Sequence, residues 1–251
     1  LLIGINTGML ANFAREGAER HKIIRSTIDR FLSVKPDGKR PYQQAHYSFF
    51  DFEHYPKFQF DEKKQYSTFI KSLLNNLTKE EDDNLFYFIF RNEEARNPHL
   101  KEVANFKLLS LPGVQDVIIT QLFKARLIKD QFVTTRTLLD FIYHLIMGPG
   151  YLFDNLFSIA ENELIKKIAD FDPARLHTYE LDQFILRYEL GLTDSELDSF
   201  LGALEMLHIK FDRQSAQSGE AASLIRLFWL LQYESLGNDY HQKFSEFFSE
   251  A

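Results

Sequence analysis

No cysteine occurs anywhere in the chain. Disulfides, thiolate nucleophiles and Cys-ligated metals are thereby excluded, and the composition suits a reducing compartment. Long apolar runs are missing too. No stretch nears the ~18 residues that a membrane-spanning helix needs, so a soluble, cytoplasmic chain without a membrane partner is expected. The start has neither an initiator Met nor a signal-peptide pattern, and Leu1 reads as an internal residue of a longer polypeptide. There is no surplus of positive charge. The formal net charge is −7, so the surface as a whole repels nucleic acid, and DNA contact is expected through a local basic patch or a partner. The eight histidines (21, 46, 54, 99, 144, 177, 208, 241) form no H-x-H, H-x-x-H or H-x-x-x-H pair, so no metal is expected.

What the chain has in quantity is aromatic residues: 25 Phe and 11 Tyr beside a single Trp. Large rings buried between helices are the simplest account of such a composition, with an aromatic ligand groove as the alternative. At 251 residues, 45% apolar and 26% charged, the chain can form one large or two small globular domains.

Residues 1–6 (LLIGIN) are a short continuous apolar run, as in a strand buried on both faces of a parallel sheet. A lone strand cannot stand by itself, so its partners are expected before Leu1, or else in residues 47–52 or a second copy. Residues 7–32 read as helical, with Ile23, Ile24, Ile28 and Phe31 on one stripe. SVKPDGKRP (33–41) is a basic, turn-rich loop, and YSFFDF (47–52) reads as a further strand of the same sheet. Asp61 opens an amphipathic helix carrying Tyr66, Phe69, Ile70, Leu73, Leu74 and Leu77. Further helices are expected near 80–96, 99–109, 113–129 and 135–147, separated by Pro98, Pro112–Gly113 and Gly148-Pro149-Gly150. The last of these is taken as a domain boundary. Beyond it helices are expected near 153–169, 174–190, 194–207, 220–236 and 239–249, with RQSAQSGEA (213–221) as a soft loop.

Three places combine residue types suited to a nucleotide. Asn6 ends the apolar run and is followed closely by Gly8, and ligands of open α/β sheets sit at the carboxyl ends of strands. The same two residues also suit a turn that caps the next helix. Arg25 and Arg30 lie on the helix before the basic loop. Thr134-Thr135-Arg136 sets an arginine in the first turn of a helix, against the helix dipole, where an anionic partner would favour it. An exposed arginine paired with a nearby acid is the plainer alternative.

In this order the features resemble the second half of an AAA+-type P-loop ATPase. INTGMLANF, YSFFDFEHYPKF and TTRTLLDFIYHLI resemble, more narrowly, the NTPase component of bacterial DNA phosphorothioation-dependent restriction systems, the DptF (DndF) family. The resemblance covers residues 1–150 by motif and 151–251 by extension. It implies a mainly α chain with a small remnant of a parallel α/β P-loop sheet: residues 1–60 as the end of the ATPase core, 61–150 as a helical lid, and 151–251 as a partner-docking extension. It implies that Asn6 is a sensor at the strand end, Arg136 the lid arginine, and Arg25 or Arg30 the arginine finger. ATP and Mg²⁺ would be bound by the full-length protein, and the partners would be other subunits, DNA through the complex, and possible further copies of the chain. The sequence itself has no G-x-x-x-x-G-K-[ST] loop and no acidic Walker B strand, so this piece alone is not expected to hydrolyse ATP.

Other chemistries fit less well. Asp51 with Glu62, Lys63 and Lys64 nominally matches a D…[D/E]-x-K nuclease pattern, but Glu62 is expected in a helical first turn rather than on a strand. Asp51–Glu53–His54 and Asp170–Asp172–His177 are clusters in expected turns, where acids cap. Glu80-Glu81-Asp82-Asp83 reads as a helix N-terminal flank. Residues 178–210 form a loose helix-turn-helix pattern whose second helix is acidic, which suits a protein-facing hairpin better than a DNA groove. A helical interaction scaffold without catalysis is the remaining alternative.

Overall fold

The computed structural model describes residues 3–34, 42–44, 46–51, 58–61, 64–129, 133–158, 162–176, 179–192, 195–211 and 220–236. The fold is mainly α, as the sequence implies. Two compact units divide the chain, residues 1–57 and 58–251.

In the first unit α1 (Thr7–Glu16) and α2 (Lys22–Ser33) are joined through a 3-10 turn at Glu19–His21. They are followed by an antiparallel hairpin of β1 (Tyr42–Gln44) and β2 (Tyr47–Phe49). Ala14, Thr27, Ile28 and Phe31 are buried, and Phe31 stacks on Phe49 with ring centres 4.8 Å apart. The expected stripe is therefore realised at Ile28 and Phe31, whereas Ile23 lies outside it, 75% exposed. Residues 3–6 form no strand. Nor does 47–49 pair with them, since its partner is 42–44. An isolated apolar run has no ladder to satisfy its backbone groups, and a local hairpin pairs more readily than distant segments. Among the described residues both sheets are two-stranded and antiparallel, so the parallel remnant is not seen.

The second unit opens with a hairpin, β3 (Gln59–Asp61) and β4 (Lys64–Tyr66), with Asp61 opposite Lys64. This corrects the helix expected from Asp61. The helix α3 (Thr68–Thr78) starts seven residues later, where the Ser67 hydroxyl accepts from the Ile70 amide; the serine, not the aspartate, caps it. Next come α4 (Leu85–Arg96), α5 (Lys101–Ser110), α6 (Pro112–Ile128) and α7 (Thr135–Met147). Pro112 stands at the first helical position of α6, where its missing N–H costs nothing. Thr134 and Thr137 close a reciprocal capping box on α7.

The chain continues through α8 (Leu152–Asn155), α9 (Glu163–Ile168), α10 (Tyr179–Glu189), α11 (Ser195–Ala203) and α12 (Glu220–Leu230). Much of α6 is buried, from Val114 to Ala125, and one apolar cluster runs from Ile70 to Leu231. Phenylalanine fills it: Phe228 meets Phe200 at 5.0 Å and Phe184 at 5.7 Å, and Phe157 meets Trp229 at 5.5 Å. The core crosses Gly148–Gly150 without a break. The Asn105 side chain donates to the Ile146 and Gly150 carbonyls and accepts from the Leu152 amide. Asn155 donates to the Leu145 and Gly150 carbonyls. The sequence boundary at 148–150 is thus a packed corner, and residues 61–150 and 151–251 share one unit, because two buried amide side chains satisfy the turn's backbone from inside. The helix expected at 239–249 and most of the 213–221 loop lie outside the described residues. Among the described residues no helix is long and apolar enough to cross a membrane.

Candidate functional site

Asn6 sits at the N-cap of α1 in extended backbone. Its Oδ1 accepts from the Gly8 amide at 2.7 Å and the Met9 amide at 3.2 Å. These bonds satisfy two of the four amides that a helix start leaves orphaned. Ile3 and Ile5, the apolar side chains leading into it, are 67% and 45% exposed. Arg25 is half-buried and turned to the end of α1, where Nε donates to the Ala14 carbonyl at 2.8 Å and Nη2 to the Arg15 carbonyl at 2.9 Å. That is the favourable place for a cation on a helix dipole. Arg30, on the same helix, is exposed. In the second unit Arg136 is 91% exposed in the first turn of α7, with Asp140 one turn on at 3.9 Å. Asn6 and Arg25 thus do local capping work, and Arg136 stands in a loose solvent pair.

The nuclease pattern changes shape. Asp61 and Lys64 lie on paired strands, and Glu62 and Lys63 between them lie outside the described residues. Asp51 belongs to the first unit and Lys64 to the second. Glu53, His54 and His177 also lie outside the described residues. Of the second acid cluster, Asp170 pairs with Lys129 at 2.8 Å. Asp172 is buried and faces Arg226, which donates to its two oxygens at 3.0 and 2.7 Å and to Asp154 at 2.9 Å. Burial opposes the charge on Arg226, yet the two carboxylates raise its pKa above the ordinary value. That is an internal structural tie. Among the described residues no group of three or more His, Asp or Glu could hold a metal ion.

Two further polar clusters come from tertiary packing. Glu94 on α4 accepts from Lys107 at 3.0 Å and from His208 at 2.9 Å. Burial disfavours its charge, but those two hydrogen bonds outweigh this and hold its carboxyl below the ordinary value. His208 has the left-handed backbone (φ +58°) that turns the chain after the 3-10 segment Leu204–Leu207. His144 Nε2 lies 3.0 Å from the Ser158 hydroxyl, which also donates to the Asn155 carbonyl. Burial lowers the His144 pKa against a hydrogen bond with the Asn155 backbone.

The most unusual surface is α4. None of its residues is buried. On its inner side Phe90 stacks on Phe106 at 4.8 Å, beside the Glu94 cluster. On its outer side Leu85, Phe86, Phe88 and Ile89 are 65, 56, 56 and 51% exposed. A recess of about 480 Å³ flanks them, lined by Glu81, Asp82, Tyr87, Phe88, Arg91, Asn92 and Ala95. The sequence signal was the run LFYFIF, apolar on every side of a helix and so unable to bury all of itself at a surface. The α10–α11 hairpin, by contrast, turns Leu181, Tyr188, Leu197 and Phe200 into the unit's own core. Compared with protein-family models, curated proteins and solved structures, the chain matches none.

Proposed function

We propose that this chain is the C-terminal part of an NTPase component of a DNA phosphorothioation-dependent restriction complex, of the DptF (DndF) kind that its motifs resemble, and that it serves coupling and docking there. The observation that supports this is the segment Ile3–Gly8: exposed isoleucines in a run that ends on Asn6, at the head of a helix. Residues 3–6 form no strand here, but an apolar run ending on a polar residue at the head of a helix follows the order in which a nucleotide sheet presents its strand-end residue. The described residues do not by themselves cradle a nucleotide. The Asn6 acceptor is engaged by α1 and Arg136 points into solvent, so hydrolysis is not assigned to these residues alone; in this reading Arg136 acts on nucleotide held by the rest of the full-length protein. ATP and Mg²⁺ belong, in this reading, to the full-length protein, and DNA is reached through the complex.

The test begins with the gene upstream of the Leu1 codon, where a Walker A loop followed by an acid-ended strand is expected. In the full-length protein Arg136→Ala should lower ATP turnover at least about tenfold, a loss of roughly 1.4 kcal/mol of transition-state stabilisation. Unchanged turnover, or no Walker A upstream, removes this reading. The second reading, a helical interaction protein without catalysis, is favoured by the uncovered aromatic face of α4, and it survives either of those results.

A further inference from the structure

We draw no further inference here: the strongest candidate, the exposed apolar face of α4 formed by Leu85, Phe86, Phe88 and Ile89 with the recess beside Phe88, carries nothing, because nothing in the structure shows what covers it.

Discussion

At His144 a single side chain is expected to couple the stability of the second unit to pH. Burial against α8 and the loop after it favours the neutral ring, so its folded-state pKa lies below the ordinary 6.5. As pH falls, the unfolded chain takes up the proton first. The stability that His144 contributes is therefore present above about pH 6.5 and is lost as pH drops through the lower folded value. His144→Gln keeps a group able to bond Ser158 but does not titrate. Urea denaturation of the variant between about pH 7.5 and 5.5 should show a shallower loss of stability than wild type; parallel curves would show that the ring is not desolvated in solution. The sequence marks His144 only as one more histidine in an amphipathic helix. Its environment comes from Ser158 and Asn155, which the corner after α7 folds back onto it.

At the scale of elements, α7 was legible and the corner after it was misjudged. A Thr cap, an apolar period and a closing glycine define a helix from Thr135 to Met147 by local rules alone. Gly148-Pro149-Gly150 satisfies the same local rules for a linker, yet it is held by Asn105 and Asn155 from inside the core. A Cβ at Gly148 would meet the Asn155 side chain and the His144 carbonyl, each at 2.6 Å. Gly148→Ala should therefore cost roughly 1–3 kcal/mol by urea denaturation, through overpacking rather than backbone strain. A flexible linker would tolerate it without loss. The β3–β4 hairpin escaped the sequence for the opposite reason. QFDEKKQY has little of the alternation or turn chemistry that advertises strands, and Asp61 imitates a helix start. The segment instead pairs with itself, Gln59 to Asp61 against Lys64 to Tyr66.

The whole molecule divides at Lys57 and Phe58, not at Gly150. One apolar cluster joins α3 to α12 through the buried helix α6. A chain beginning at Phe58 is therefore expected to unfold in one cooperative transition, whereas pieces ending or starting at Gly150 should each lack one. A non-cooperative melt of the 58–251 chain would show that the first unit is needed to complete the core. By itself the sequence determined the helical class, most helix positions beyond residue 84, the aromatic character of the core and the absence of cysteine chemistry, since periodicity, caps and composition act over a few residues. The Asn6 cap is as local as the sequence allowed, two and three residues from its partners; only the tertiary structure decided that Arg25 closes the other end of α1, that the core crosses Gly148–Gly150, and that α4 keeps an aromatic face outside. Those outcomes depend on contacts between residues far apart in the chain, and no local pattern specifies which apolar surfaces will find one another.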